Sequence, residues 1–274
     1  MRKAIAVILT EPTPDPVGYF GTKFADKFTG GEVLQEGNNY KSGNVNVTIT
    51  EFREYGARIY LADIYIKDIS CLKSGLAKDT YGKGYSEWPK NIAERMGSVV
   101  TINGDYYGTR DTGNVVRNGV FYRECEKTKL DVCVVYWDGT METMKASEFD
   151  AQTEVEKGAY QVWNFGPALL DDDGQTIEEF DSKVSAANPR SVIGYFEPGH
   201  YCFLVCDGRS SSSAGLSLRN LSIVMKDIGC VRAYNLDGGK TAQMVAGTKV
   251  ISKPYDGGRT CSDVITIVDA IDQN

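Results

Sequence analysis

Histidine is almost missing from this chain of 274 residues: His200 is the only one. It falls in an expected hairpin tip, which argues against a Ser-His-Asp triad and against a histidine-rich metal site. Excess positive charge is missing too. The net charge is −7, so broad nucleic-acid binding, which needs a basic face, is excluded as a class. No CxxC pair occurs among the seven cysteines, Cys71, Cys125, Cys133, Cys202, Cys206, Cys230 and Cys261. A zinc ribbon or a thioredoxin-like motif is thereby disfavoured, and the plain reading of the cysteines is as small buried hydrophobes. There is no low-complexity tract and no internal repeat. Long apolar runs are absent as well. The opening Met1-Arg2-Lys3 leads into only six apolar residues before Thr10-Glu11-Pro12, short for a signal segment and far too short to span a bilayer. Two settings fit: a cytoplasmic protein, or a trimmed extracellular or cell-surface ectodomain.

What is present is ordinary for a globular chain: 42% hydrophobic and 24% charged residues, with 29 glycines and 16 tyrosines. The length allows a substantial core. Residues 1–43 hold prolines, glycines and charges without periodicity and read as an irregular lead-in. Residues 44–274 read as one domain. Val45 to Phe52 alternates with period two, and Arg58 to Ile66 is its expected partner across Glu54-Tyr55-Gly56. Pro89 to Met96 reads as a short helix closed by Gly97. Ser98 to Ile102 reads as a buried strand. Leu130 to Trp137 and Met141 to Met144 form a hairpin over Asp138-Gly139. Ser191 to Phe196 and Tyr201 to Val205 form another. Leu218, Leu221, Met225 and Ile228 recur at helical spacing behind a Ser217 cap, and Val231 to Leu236 is the next strand. Val250-Ile251 and Val264 to Val268 supply the last strands. The expected class is α+β: β-rich mixed sheets, a strand–helix–strand unit and packed helices in a single domain.

Three apolar runs end in an aspartate beside glycine: Asn103-Gly104-Asp105, Cys206-Asp207-Gly208 and Leu236-Asp237-Gly238-Gly239. If the strands before Asp207 and Asp237 are parallel, both residues leave the sheet at one edge, where open sheets bind ligands. Asp105, Asp207 and Asp237 are therefore candidate catalytic carboxylates, since glycosyl transfer to water uses paired carboxylates. Arg117, Arg190, Arg209 and Arg259 all sit at turns or strand ends beside glycine, proline or asparagine. A guanidinium suits phosphate, and glycine lets backbone approach a ligand. Gly239-Lys240-Thr241 lacks the leading glycine of a P-loop, whose place Tyr234 takes, so nucleotide hydrolysis is rejected.

Five segments in order carry a resemblance: Ile102 to Tyr107, Phe165 to Leu169, Asn188 to Gly194, Val205 to Arg209 with Gly215 to Leu218, and Asn235 to Gly239. Over about residues 95–268 the chain resembles the phosphodiester glycosidase domain family. It departs where the family often has Asn-Gly-Gly and here Asn103-Gly104-Asp105 stands, and where Lys240-Thr241-Ala242 follows Asp-Gly-Gly. The resemblance implies hydrolysis of a carbohydrate phosphodiester at the sugar C1–O bond. It places Asp237 and Asp105, with Asp207 as a third candidate, as carboxylates at the sugar. Arg190, Arg209 and Arg259, with Arg117, would hold the phosphodiester. Asn103, Tyr107 and Asn235 would orient sugar hydroxyls, and Gly238 and Gly239 would bring backbone to the ligand. No cofactor and no metal is required by this picture. Two other readings stay open: a noncatalytic module binding a phosphorylated glycan, and a metal-dependent phosphodiesterase cutting P–O.

Overall fold

The computed structural model describes residues 16–124 and 129–271. Strands take 40% of the structure and helices 17%, which places it in the expected α+β class. Three antiparallel sheets form it. The first runs, in spatial order, through Leu34–Glu36, Asn39–Lys41, Val45–Glu54, Ala57–Ile66, His200–Cys206, Arg190–Glu197 and Arg232–Asn235. The second runs through Met141–Met144, Val132–Tyr136, Ala159–Asn164, Val115–Arg117 and Val120–Arg123. The third runs through Lys249–Val250, Met244–Ala246, Ser98–Asn103, Asp263–Val268 and Leu72–Leu76.

Local chemistry explains much of this. Val45–Glu54 and Ala57–Ile66 pair over Tyr55 and Gly56, both at positive φ (49° and 73°). Two such residues make the turn whose twist matches the flanking strands. Pro89–Met96 forms the expected helix, with Gly97 left-handed at its end. Leu218–Ile228 starts where the Ser217 side chain accepts from Asn220 N at 3.1 Å and ends at Gly229, φ 99°.

His200–Cys206 and Arg232–Asn235 are both antiparallel to Arg190–Glu197, which lies between them. They are therefore parallel to each other, joined through Leu218–Ile228 as a strand–helix–strand unit with one strand interposed. The first sheet is covered on both faces. Tyr201, Phe203 and Val205 enter the largest apolar cluster, together with residues of the second and third sheets. Cys202, Leu204 and Cys206 face the cluster formed with Leu218, Leu221 and Met225. The period of two thus puts Cys202 and Cys206 on one face, as their spacing requires. The six described cysteines are free and buried; Cys125 and the opening apolar run lie outside the described residues.

One expectation is corrected. Within the lead-in read as irregular, Leu34–Glu36 and Asn39–Lys41 are paired strands that extend the first sheet beyond Val45–Glu54. Leu34–Glu36 is exposed along its length, and its stability comes from ladder bonds rather than from an apolar face, so no alternation betrays it. Leu72–Leu76, Val115–Arg117, Ala159–Asn164 and Met244–Ala246 are further strands that the sequence pattern does not predict. They are short, and largely or wholly buried, so they too show no polar–apolar period.

Candidate active site

Register sets the geometry. Arg190 pairs with Cys206, and Val192 with Asn235. One strand thus begins where its two neighbours end, and Arg190, Asp207 and Asp237 all leave the sheet at one edge. The edge opens on a cavity of about 370 Å³. Asp237, Arg190, Arg209, Arg259, Lys240 and Phe165 are among its walls.

Asp237 is its carboxylate. The side chain is 9% exposed and its Oδ2 accepts from Arg259 Nη2 at 2.8 Å. Burial raises its pKa above the ordinary 3.8, an effect opposed by Thr241 and Arg259. The turn behind it is tight. A Cβ on Gly238 would lie 2.5 Å from the Pro189 carbonyl oxygen, and Gly239 (φ 63°) donates its N–H to that oxygen at 3.0 Å. These two glycines therefore place Asp237, as well as bordering the cavity.

Arg190 is buried, yet no carboxylate among the described residues pairs with it. Its Nε donates to Leu216 O at 2.9 Å, and its Nη2 to Val184 O and Ala186 O at 2.5 and 2.6 Å. Burial lowers its pKa to about 10, so it remains a cation at neutral pH. Arg209 is fixed by Asn188 Oδ1 at 3.0 and 2.8 Å and lies over the Tyr255 ring at 5.3 Å. Lys240 pairs with Asp256. The cavity thus holds three guanidiniums and one carboxylate, and only Arg259 is neutralised by it.

The other two aspartates do not reach this cavity, so the three do not gather along one rim. Asp207 turns back into the protein, where its side chain accepts from Lys253 N at 2.8 Å and Tyr60 Oη at 3.4 Å. Burial raises its pKa. Asp105 is 1% exposed and pairs with Arg117 Nη2 at 2.9 Å; Asp263 pairs with Arg117 Nε at 2.8 Å. Asp105 also accepts from Tyr107 N at 3.1 Å and Asn164 N at 2.9 Å. Arg117 sits fully inside the protein, and a buried guanidinium demands carboxylates around it. That demand takes Asp105 and Arg117 out of the cavity.

Asn103, Asn235 and Tyr107 are likewise enclosed rather than exposed to a ligand. Asn103 donates to Asp237 O at 2.7 Å and accepts from Ser191 Oγ at 2.6 Å. Asn235 donates to Gly166 O at 2.7 Å. Tyr107 stacks on Tyr81, ring centroids 5.2 Å apart. Their roles are to hold the loops. The structure adds one residue that sequence reasoning passed over. Tyr106, at φ 73°, has the guanidiniums of both Arg259 (5.1 Å) and Arg110 (5.9 Å) over its ring. His200 is at the far end of its strand from Asp207, bonded to Asp63 Oδ1 at 2.7 Å and stacked on Tyr65 and Phe196. Among the described residues no group of three or more His, Cys, Asp or Glu is arranged to hold a metal ion.

A family described as phosphodiester glycosidase matches residues 96–268, a stretch that contains the whole cavity wall. The chain belongs to the phosphodiester glycosidase family. Among curated proteins, the SPbeta prophage-derived uncharacterized protein YomE of Bacillus subtilis is 30% identical over 197 residues, 68% of this chain and 30% of that protein. The chain thus spans under a third of that relative's length. Among solved structures, the catalytic domain of zebrafish N-acetylglucosamine-1-phosphodiester alpha-N-acetylglucosaminidase, auto-inhibited by its pro-peptide, superposes with a TM-score of 0.67 at 19% identity. The match covers 89% of this chain and 86% of that one. A hypothetical protein from Synechocystis gives 0.65 at 13% identity, over 82% and 62%. These likenesses establish a shared fold.

Proposed function

We propose that the protein hydrolyses the sugar C1–O bond of a sugar-1-phosphodiester, with an N-acetylglucosamine-1-phosphodiester as the first substrate class to examine and a cell-surface or exopolysaccharide glycan as its setting. The observation that carries the reading is the pairing, in one cavity, of a buried carboxylate with a buried guanidinium that no carboxylate among the described residues neutralises: Asp237 and Arg190. Arg190 and Arg209 hold the phosphate. As the C1–O bond breaks, its electron pair goes to the phosphate oxygen, and fixed guanidiniums stabilise that charge without needing to protonate it. Asp237 stabilises the positive charge that develops at C1. Water supplies the new oxygen at C1, one of its protons going to solvent, and the products are the free sugar and a phosphomonoester. Arg259 orients Asp237 and favours its ionised form, against the burial that raises its pKa.

Hydrolysis of the methyl ester of N-acetylglucosamine α-1-phosphate in ¹⁸O water tests this. Label is expected in the sugar. Label in the phosphate would mean P–O cleavage and overturn the reading. Asp237→Asn should fold normally and lose about 10²- to 10⁴-fold in kcat; a folded variant with undiminished turnover would remove Asp237 from the mechanism.

A further inference from the structure

Two of the buried cysteines face each other rather than a backbone group. Cys202 Sγ lies 3.6 Å from Cys230 Sγ. Cys71, Cys206 and Cys261 instead direct their thiols at the carbonyls of Ala270, Asn188 and Glu87. Cys202 and Cys230 are 28 positions apart in the chain. The first belongs to the strand His200–Cys206; the second follows Gly229, in the turn between the helix Leu218–Ile228 and the strand Arg232–Asn235. That turn is anchored from both sides. Cys230 N donates to Met225 O at 3.1 Å, and Val231 N to Tyr195 O at 2.9 Å.

Gly194 is what lets the two thiols meet. It pairs with Cys202 on one side and Ala233 on the other, so the middle strand passes beneath the sulfurs at this residue. A Cβ on Gly194 would fall 2.6 Å from Cys202 Sγ and 2.8 Å from Cys230 Sγ, closer than side chains pack. Its φ lies outside the left-handed region, so the backbone itself does not call for glycine. What the missing side chain supplies is room for the sulfur pair. A disulfide bond is about 2.05 Å long, so closure brings the sulfurs nearer by about 1.5 Å, a distance that rotation about the Cα–Cβ bonds can cover.

We propose that Cys202 and Cys230 form a disulfide when the protein meets a thiol–disulfide oxidant, a cross-link that clamps the two parallel strands of the strand–helix–strand unit across the strand between them. The exchange balances. Cys230 Sγ gives up its proton and attacks one sulfur of the oxidant's disulfide, expelling the first oxidant thiolate. Cys202 Sγ, also deprotonated, then attacks Cys230 Sγ and expels the second. Two cysteine thiols are oxidised, one disulfide is reduced to two thiols, and those thiols take up the two protons. Cys230, at 4% exposure against 0% for Cys202, is the sulfur that an oxidant reaches first. The hydrogen bond with Cys230, and then burial, hold the Cys202 thiol well above its ordinary pKa. A thiol reacts as its thiolate, so the bond forms mainly while the chain folds. The extracellular setting, one of the two that the sequence allows, supplies such an oxidant. The cross-link stands or falls independently of the glycosidase reading.

The test produces the full chain in two ways, by export to an oxidising bacterial periplasm and by synthesis in a reducing cytoplasm. Both samples are alkylated under denaturing conditions, digested and weighed. The exported protein is expected to yield the peptides of Cys202 and Cys230 joined, lighter by two hydrogens than their sum. Its thermal midpoint should lie about 5–10 °C above that of the cytoplasmic protein. Cys230→Ala, prepared both ways, should give no joined peptide and equal midpoints. Alkylated Cys202 and Cys230 in the folded, exported protein would overturn the proposal, as would either of them joined to a different cysteine. A joined pair with no gain in midpoint over the cytoplasmic sample would show that the bond clamps nothing.

Discussion

Asp237 and Asp105 look alike in the chain, each ending an apolar strand beside glycine, yet their surroundings give them different work. Asp237 meets one partly exposed guanidinium at a cavity wall; Asp105 meets one fully buried guanidinium and two backbone N–H groups. Burial raises the Asp237 pKa above 3.8, and Arg259 pulls it back down. If turnover requires the ionised carboxylate, activity falls as pH drops through that raised value. The acid limb of kcat/KM should therefore lie above pH 3.8. Arg259→Gln removes a lowering influence, so the limb should move to higher pH. An acid limb unmoved in that variant would mean that Asp237 is not the titrating group.

Two elements carry this site. The strand Arg232–Asn235 delivers Asp237 through a turn that only glycine fits at position 238. Gly238→Ala drives a methyl group against the Pro189 carbonyl, and this backbone cannot step aside without moving Asp237. We expect a loss of about 1–3 kcal/mol in stability together with reduced kcat; normal kcat at unchanged stability would show the turn to be slack. The helix Leu218–Ile228 supports the sheet from behind. Leu221 is fully buried in its cluster, so Leu221→Ala should cost about 2–5 kcal/mol in urea unfolding, with the site's pH profile preserved because Leu221 does not line the cavity. These elements were legible in the sequence. Helical spacing, the Ser217 cap and Gly229 marked the helix, and the apolar runs marked the strand ends. The short buried strands were not legible, because a strand covered on both faces has no polar side to reveal its period.

At the scale of the molecule, the cavity sits where the first and third sheets are stitched together. Asn103, at the end of a third-sheet strand, reaches Asp237 O and Ser191 of the first sheet, and the second sheet joins through Arg117. Arg117 bridges Asp105 and Asp263, carboxylates that lie outside its own sheet. Burial raises the Asp263 pKa above 3.8; Arg117 opposes this and Asp105 reinforces it. The folded form thus keeps a proton that the unfolded chain releases above pH 3.8. Stability should decline as pH rises from there through the native pKa. Asp263→Asn should flatten that decline between pH 5 and pH 8, measured as the urea midpoint; an identical slope would locate the pH dependence elsewhere. The sequence by itself determined the local features, the turns, the faces of the strands and the helix caps, because each depends on residues a few positions apart. Only the tertiary structure decided which of three similar aspartates faces a ligand. That choice depends on Arg117 being buried against Asp263, 146 residues away. A buried cation recruits whichever carboxylate the packing brings near it, and no local pattern records that demand.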